Sequence, residues 1–305
     1  MNPVEVTVII CSHNPNPGRL ARTLAGLRAQ TLPAAQWDCV LVDNASEPTL
    51  ESAGLPNLRV VREPLLGLSR ARRRGLIEGS SFLCVFSDDD NVLAPNYLEE
   101  ALRIARGNPR IGALGGRSIG EFENPVAEWQ KEFLDLLAVR DLGAQTIVES
   151  HHSPLKVYPR CAPIGAGMVL RREAAQVWMD SPQSALTDRR GADLSSSGDN
   201  DIVLTLFAAG WDVAYFPELA LIHLIPTDRL TPDYLARLNE GIQRSWVRVL
   251  SLHGLCPWAP AAPWTVPIRS ARAWFRNRAW HGPAQRIRWF GARGHFRGRA
   301  DLKEL

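Results

Sequence analysis

The most constraining stretch of this sequence is an apolar run from Phe82 to Phe86 that ends, after Ser87, in three consecutive aspartates, Asp88 to Asp90. The run lacks a 3.6-residue period, and a short apolar run bounded by a turn signal predicts a strand buried on both faces. Such strands belong to parallel sheets covered by helices, in which ligands bind at the carboxyl ends of the strands. The sequence therefore predicts an α/β fold with three carboxylates at its ligand-binding edge.

Three adjacent carboxylates repel one another, and keeping them ionised in a cleft requires a counter-charge. Hard divalent cations such as Mg²⁺ or Mn²⁺ accept oxygen ligands of this kind. The alternative is a loop in which the last aspartate caps the next helix, because Asn91 to Pro95 leads into helically spaced apolar residues from Tyr97 onwards. Capping would explain one aspartate but not three, so a metal site is the preferred interpretation.

Two other predicted strands also end in polar residues. Val6 to Cys11 is followed by Ser12-His13-Asn14, and Trp37 to Val42 is followed by Asp43-Asn44-Ala45-Ser46. Because strands alternating with helices pair in parallel, all three polar clusters are expected to meet along one sheet edge. Neither the G-x-G-x-x-G dinucleotide fingerprint nor the G-x-x-x-x-G-K-[ST] phosphate loop follows the first strand, which excludes those two classes of protein.

The second half of the chain has a less regular pattern. Helical spacing of apolar residues predicts an amphipathic helix from Pro125 to Val139. Ile164 to Leu170 is predicted as a strand whose glycines let a backbone or ligand approach closely. A helix is predicted to begin near Ile202, followed by two strands, Trp211 to Phe216 and Ala220 to Ile222.

The composition, 45% hydrophobic and 22% charged residues, is typical of a folded globular chain. No apolar run approaches the ~20 residues of a membrane-spanning helix. The first residues lack the basic and apolar regions of a signal peptide. The five cysteines have no metal-ligand spacing, and most lie in predicted strands, which favours reduced thiols and a cytoplasmic location.

The order of the motifs resembles that of family 2 glycosyltransferases with the GT-A fold, over roughly the first three quarters of the chain. The segments that carry this resemblance are Val8-Ile9-Ile10 with Asn14, Leu41 to Ser46, Gly67 to Gly75, Asp88 to Asp90, Gly165 to Glu173, and Asp199 to Trp211. It implies a Rossmann-like, mostly parallel central sheet flanked by helices. It also implies an inverting enzyme that moves a sugar from a nucleotide-diphosphate donor, in the first place a UDP-sugar, to a hydroxyl acceptor in bacterial-type cell-surface glycan or polysaccharide biosynthesis.

The resemblance assigns a metal site. Asp88-Asp89-Asp90 corresponds to the D-x-D element of the family, with Asp90 as the direct ligand of Mn²⁺ or Mg²⁺ and Asp88 or Asp89 on the ribose or on coordinated water. A neutral imidazole at a cleft edge can complete such a shell, and relatives with a histidine near the position of His223 favour it as a second ligand. A lone histidine at a strand end is equally compatible with a structural role.

The resemblance also assigns the donor contacts. Asp43 corresponds to an acidic residue that accepts a hydrogen bond from the nucleobase, and its structural alternative is an Asx-turn that closes the strand. Arg72 corresponds to an arginine that reaches the donor phosphates, although Arg73 stands where the family has asparagine. Ser12 and Asn14 are expected in the same donor-binding cluster.

Inversion at the sugar requires a base opposite the leaving diphosphate to deprotonate the acceptor hydroxyl. Asp199 corresponds to that base and is preferred over Asp201. Gly198 replaces the glutamate with which the family motif begins, which removes one acceptor-side contact and retains the base. Asp199 as an N-cap for the helix near Ile202 is the structural alternative, and both roles can hold together.

The sequence predicts a GT-A catalytic domain over residues 1–225, with a nucleotide-sugar-binding half at 1–115 and an acceptor-binding half at 116–225. A helical region at 226–255 and a proline-linked, basic, aromatic, helical or irregular tail at 256–305 follow. The segment from Val266 to Leu305 contains ten Lys or Arg residues and two acids, a net charge of +8. Since the whole chain has a net charge of +3, the rest of the chain carries about −5.

Aromatic residues interleaved with arginines suit an anionic interface. Relatives with lipid-linked acceptors favour membrane headgroups over nucleic acid, with peripheral contact at the inner face of the cell membrane. A tail that folds back on the acidic body or pairs with a second subunit is left open. Two other functions are also left open: a sugar-1-phosphate nucleotidyltransferase, which lacks its glycine-rich loop here, and an inactive nucleotide-sugar-binding protein, suggested by Gly198.

Overall fold

The protein is described from a computed structural model, which covers residues 4–51, 54–152, 157–181 and 197–302. Parts of the predicted domains that fall between these ranges lie outside the described residues. Contacts divide the chain into two compact units. Unit 1 comprises Met1–Glu121, Ala138–Pro182 and Ile202–Leu224, and unit 2 comprises Phe122–Leu137, Gln183–Asp201 and Ile225–Leu305. The domain boundaries at 115, 225 and 255 remain a prediction.

The described residues contain one sheet of nine strands. The strands are β1 (Val6–Ser12), β2 (Trp37–Asn44), β3 (Leu58–Glu63), β4 (Leu83–Asp88), β5 (Asn91–Leu93), β6 (Ile111–Phe122), β7 (Ile147–Glu149), β8 (Val169–Arg171) and β9 (Asp212–Ile225). Their order is β3-β2-β1-β4-β8-β6-β9-β5, and β7 also pairs with β9. The α/β fold class predicted from the sequence is confirmed.

The helices alternate with the strands in the first part of the chain and follow one another at its end. They are α1 (Pro17–Arg28), α2 (Leu68–Glu78), α3 (Tyr97–Gly107), α4 (Glu128–Lys131), α5 (Arg172–Asp180), α6 (Gly198–Ala208), α7 (Pro232–Leu252), α8 (Val266–Asn277) and α9 (Pro283–Asp301). Within the described residues, no helix combines the length and apolar character needed to span a bilayer.

The strands β3, β2, β1 and β4 are parallel, and they carry the polar clusters of the first half. Val8 to Ile10 of β1 and Leu83 to Val85 of β4 are wholly buried, because helices cover both faces of the sheet. Ser12 of β1 pairs in register with Asp43 of β2, and Cys11 pairs with Asp88 of β4. The parallel register therefore brings the ends of three polar-tipped strands to one edge, as the sequence predicts.

Strands β8, β5 and β7 pair antiparallel with their neighbours, and here several predicted bounds are wrong. The predicted strand from Ile164 forms only from Val169, because Gly167 turns the chain with φ +74°. The two strands predicted on either side of Pro217 are one strand, β9. A Cβ at Gly116 would lie 1.9 Å from the Leu219 carbonyl oxygen, so glycine at this position of β6 lets the backbone of β9 approach closely.

Two helix predictions also need correction. The predicted helix from Pro125 to Val139 is the single turn α4 followed by a 3-10 turn at Leu134–Leu137. Its apolar residues Phe133 and Leu137 are nevertheless buried, and Ala138 ends the segment with φ +56°. The helix predicted near Ile202 begins four residues earlier, as α6.

Candidate active site

The three aspartates lie in the turn that joins β4 to β5. Asp88 is the last residue of β4, and Asn91 is the first residue of β5. The buried Asn91 side chain accepts a hydrogen bond from the Asp88 backbone N–H (3.2 Å) and donates one to Asp90 Oδ1 (3.1 Å). Helix α3 begins at Tyr97, after β5, so helix capping does not explain any of the three aspartates.

Asp90 is buried beside His223. Asn91 and His223 are register partners in the antiparallel pair of β5 and β9, and the Leu224 N–H donates to the Asp90 carbonyl (2.9 Å). This pairing places His223 Nε2 at 3.5 Å from Asp90 Oδ1, with both side chains almost fully buried. The structure therefore brings together the two residues predicted as metal ligands, and their role as ligands remains a prediction.

The donor atoms of Asp90 and His223 suit a divalent ion whose shell is completed by substrate. No group of three or more His, Cys, Asp or Glu side chains that could hold an ion occurs in the part of the chain that the structure covers. Mg²⁺ is usually held by one or two protein ligands together with substrate phosphates and water, rather than by an all-protein cage. One carboxylate and one imidazole at 3.5 Å fit that description, and Mn²⁺ accepts the same mixed ligands.

Asp88 and Asp89 are partly exposed at the same edge. The Ser12 hydroxyl, at the end of β1, donates a hydrogen bond to Asp89 Oδ2. Although part of the Cys11 surface reaches solvent, desolvation of the thiol raises its pKa to about 12; Arg72 opposes this rise, whereas Asp88 and Asp89 add to it. The two carboxylates and Arg72 therefore all lie within electrostatic range of the Cys11 thiol near the end of β1.

A second cluster forms where β2 ends. Asp43 is fully buried and accepts hydrogen bonds from the N–H groups of Ser46 (3.0 Å) and Leu50 (3.3 Å) and from the Arg62 guanidinium. Desolvation would raise its pKa, but hydrogen bonds from the side chain and backbone of Ser46, from Arg62 and from Leu50 outweigh it and hold the pKa below its ordinary value of 3.8. The bond from the Ser46 N–H spans three residues rather than the two of an Asx-turn, so Asp43 closes its loop in a different way from the structural alternative. Its nucleobase contact remains a prediction.

Asn14 connects the first two clusters. Its backbone has φ +49°, its N–H donates to Ser46 Oγ (2.9 Å), and its Oδ1 accepts from the Glu47 N–H (2.9 Å). Together with the bond from Ser12 to Asp89, these contacts join the ends of β1, β2 and β4. The expectation that the three polar clusters meet at one edge is confirmed.

Arg72 lies buried on α2 with its guanidinium 5.2 Å from the centroid of the Phe86 ring. A Cβ at Gly165 would lie 2.1 Å from Arg72 Nη2, so this glycine makes room for the guanidinium. The close approach predicted at the glycines of 164–170 is therefore made by an arginine side chain. Arg73 makes different contacts, because it donates hydrogen bonds to the Trp178 and Met179 carbonyls at the end of α5.

Other arginines of the family motif also hold the fold together. Arg171 donates to the carbonyls of Ala105 (2.6 Å) and Asn108 (3.1 Å) at the end of α3. Arg172 donates to the carbonyls of Leu76 (2.6 Å) and Gly79 (2.8 Å) at the end of α2. Cations at helix C-termini satisfy carbonyls that have no partner in the helix and complement its dipole.

Asp199, which belongs to unit 2, lies in the first turn of α6, where a carboxylate is favoured by the helix dipole. It is half-buried, and its Oδ1 accepts the Asn200 N–H (3.0 Å). The neighbouring Asp201 accepts a hydrogen bond from His253 Nε2 (2.9 Å). His253 directly follows α7 and belongs to the same unit. The assignment of Asp199 as the catalytic base remains a prediction. The alternative, in which Asp199 is the N-cap, is wrong because α6 already begins at Gly198.

Sequence reasoning missed His253 and Gly165 as neighbours of site residues. His253 is separated from Asp201 by 52 positions, and Gly165 lies far from Arg72 along the chain. His253 has no local pattern that would indicate its contact, and the glycine pattern around Gly165 predicted a close approach without indicating that Arg72 makes it. Asn91 did have a signal, because an amide directly after three aspartates suits a turn that must be held rigid.

Comparisons with known proteins bear on this geometry. The family model described as Glycosyl transferase family 2 matches residues 7–177. The succinoglycan biosynthesis protein ExoM of Rhizobium meliloti (strain 1021) is 25% identical over 289 residues, which cover 89% of this chain and 82% of the relative. The family match includes the joined ends of β1, β2 and β4 and ends before Asp199 and His223.

Proposed function

The chain belongs to glycosyl transferase family 2 and is a glycosyltransferase, and we propose that it moves a sugar from a nucleotide-diphosphate donor to a hydroxyl acceptor with inversion. A UDP-sugar is the first candidate donor. The similarity to a succinoglycan biosynthesis protein supports a growing polysaccharide as the acceptor. The proposal depends most on one observation, the acidic turn in which Asp90 lies against His223 while Asp89 accepts from Ser12.

Departure of the nucleoside diphosphate places negative charge on a phosphate oxygen. Asp90 and His223 would hold Mn²⁺ or Mg²⁺, which supplies Lewis-acid stabilisation of that charge when it is bound. Arg72, already charged and held against Phe86, would contact the phosphates. Asp88 and Asp89 are partly exposed and would bind the ribose or coordinated water.

The acceptor side requires a base. In an inverting transfer the acceptor oxygen forms a bond to the anomeric carbon while the bond to the diphosphate breaks and its electron pair leaves with the phosphate oxygen. Asp199 would take the proton from the acceptor hydroxyl. Its position in the first turn of α6 is favourable for a carboxylate, because the helix N-terminus interacts favourably with negative charge.

The experiment is release of nucleoside diphosphate from a panel of UDP-, GDP- and dTDP-sugars, with Mn²⁺, with Mg²⁺ and with excess EDTA. We expect turnover of one nucleotide class and its loss on chelation. Release of pyrophosphate in the presence of a sugar-1-phosphate would favour a nucleotidyltransferase. Donor binding by calorimetry without turnover against any acceptor would favour an inactive binding protein.

A variant pair tests the base. Asp199→Asn should lower turnover by about 10²- to 10⁴-fold, the usual contribution of a general base, with donor binding retained. Asp233→Asn is the matched control, because Asp233 is a largely exposed carboxylate of the same unit. Equal activity of the two variants would remove Asp199 from the mechanism.

A further inference from the structure

The basic end of the chain contains two helices with similar composition. Between residues 253 and 300 the sequence has nine arginines, five tryptophans and no acidic residue. Both α8 and α9 lie in unit 2 and both carry arginines beside aromatic rings. Their side chains have different surroundings, and this difference indicates what the segment binds.

Most arginines of α9 are paired with acids of unit 2. Four of the five form ion pairs, which are Arg286 with Asp233, Arg288 with Glu132, and Arg293 and Arg297 with Glu240, and Arg299 donates to the Ala259 carbonyl (3.0 Å). The helix also packs closely on α7, since a Cβ at Gly294 would lie 2.2 Å from the Glu240 carbonyl oxygen. Helix α9 therefore packs on α7 with most of its cations already paired with acids.

The apolar side chains around α8 face solvent. Trp264 is 73% exposed, Ile268 49%, Phe275 68% and Trp280 55%. Ile268 and Phe275 are separated by seven positions, which places them on one side of α8, and Trp264 lies in the 3-10 turn directly before the helix. The Trp280 ring lies 5.9 Å from the Phe275 ring and extends the same apolar surface. We call these four residues the α8 face.

The arginines of α8, together with Arg278 at its C-cap, differ from those of α9. Arg269, Arg272, Arg276 and Arg278 make no ion pair with any acid in the described ranges, in contrast to the arginines of α9. Arg272, Arg276 and Arg278 are exposed. Arg272 follows Ile268 by four positions, so a cation lies within the apolar surface rather than on the opposite side of the helix.

We propose that the α8 face binds the surface of an anionic lipid bilayer. Trp264, Ile268, Phe275 and Trp280 would enter the boundary between headgroups and acyl chains, where tryptophan is favoured. The exposed arginines would contact lipid phosphates, and the lack of acids in this segment avoids repulsion by them. A nucleic acid would use the arginines and rings but would gain nothing from exposed Ile268. A second protein would have to supply the anions.

The proposal is tested by sedimentation of the full-length protein with vesicles of neutral phosphatidylcholine and with vesicles containing phosphatidylglycerol. We expect binding to the anionic vesicles and a blue shift of tryptophan fluorescence on binding. Arg272→Gln with Arg276→Gln should weaken binding by about thirtyfold, because each cation near an anionic surface contributes about fivefold to the affinity. Ile268→Ser with Phe275→Ser should abolish the fluorescence shift.

Two controls separate the α8 face from net charge and general apolarity. Arg286→Gln with Arg288→Gln removes the same charge from paired positions of α9 and should leave vesicle binding within about twofold of the parent. Ile77→Ser removes an apolar residue that is 67% exposed on α2 and should have no effect. Equal weakening by the α9 pair would overturn the assignment to α8.

Three other results would overturn the proposal. The first is that the parent protein does not bind anionic vesicles. The second is that it binds a duplex oligonucleotide more tightly than vesicles and that the α8 variants lose this binding. The third is that light scattering shows a dimer of the parent and a monomer of the α8 variants. Donor turnover with a water-soluble acceptor should be unchanged in the α8 variants. Failure of the membrane proposal is therefore distinguishable from failure of the proposed transferase activity.

Discussion

Asp43 and Asp90 are both buried aspartates at the carboxyl ends of parallel strands, yet their neighbours differ. Asp43 receives two backbone N–H groups and the Arg62 guanidinium, all from its own loop and from β3. Asp90 lies against a histidine and an asparagine side chain. Burial alone therefore does not identify a functional carboxylate. A carboxylate surrounded by donors stabilises the loop, whereas one beside another ligand-type side chain is suited to bind an ion.

The largest effect expected from this comparison is on activity. Asp90→Asn should lower transferase turnover by about 10³-fold, because Lewis-acid stabilisation is worth several kcal/mol and 1.36 kcal/mol is tenfold in rate. Its melting temperature should stay within about 2 °C of the parent, since the asparagine keeps the shape of the side chain. Nucleoside diphosphate release and calorimetry measure the two quantities. Parent-like turnover at saturating metal would place the ion elsewhere.

Asp43→Asn should show the opposite pattern, with its main effect on stability. It removes a charged acceptor of three hydrogen bonds, and we expect a loss of about 1–2 kcal/mol in the free energy of unfolding. The ion-pair part of this figure is small because Arg62 is partly exposed and screened by solvent. Urea unfolding measures the change. An unchanged unfolding free energy with a raised KM for the donor would instead support the nucleobase contact.

The lowered pKa of Asp43 predicts that the effect of Asp43→Asn on the free energy of unfolding depends on pH. The pKa of Asp43 is lowered in the folded protein, so its contribution to stability is complete above the unfolded pKa of about 3.9 and disappears as the pH falls through the folded value. The difference in unfolding free energy between the parent and Asp43→Asn should thus be full at pH 7 and shrink below pH ~4. Urea unfolding at several pH values tests this sign. A difference that grows on acidification would contradict it.

The smallest expected effect concerns Arg72. A Cβ at Gly165 would lie 2.1 Å from Arg72 Nη2, so Gly165→Ala should displace the guanidinium and raise the donor KM about tenfold, the loss of one charged hydrogen bond. Gly107→Ala is the matched control, since no atom lies within 4 Å of a Cβ there. If the two variants have the same donor KM, then Arg72 does not contact the donor.

Much of the first half of the fold could be predicted from the sequence. Apolar runs such as Val6 to Cys11 and Phe82 to Phe86 become the buried strands β1 and β4, because only a strand covered on both faces buries every residue of such a run. Polar residues at their ends then had to meet at one edge of a parallel sheet. The predictions failed where backbone conformation depended on a distant neighbour, as at Gly167 and at Gly116 beside β9.

By itself the sequence determined the strands, the acidic turn and the supply of arginines and aromatic rings at the chain's end. Only the tertiary structure decided which of those side chains are already paired. Arg288 of α9 forms an ion pair with Glu132, which is 156 positions away in the sequence. Arg272 and Arg276 of α8 form no ion pair with an acid in the described ranges. The physical reason is that burial and helical or strand periodicity act over a few residues, whereas hydrogen-bond partners are chosen by how the elements pack.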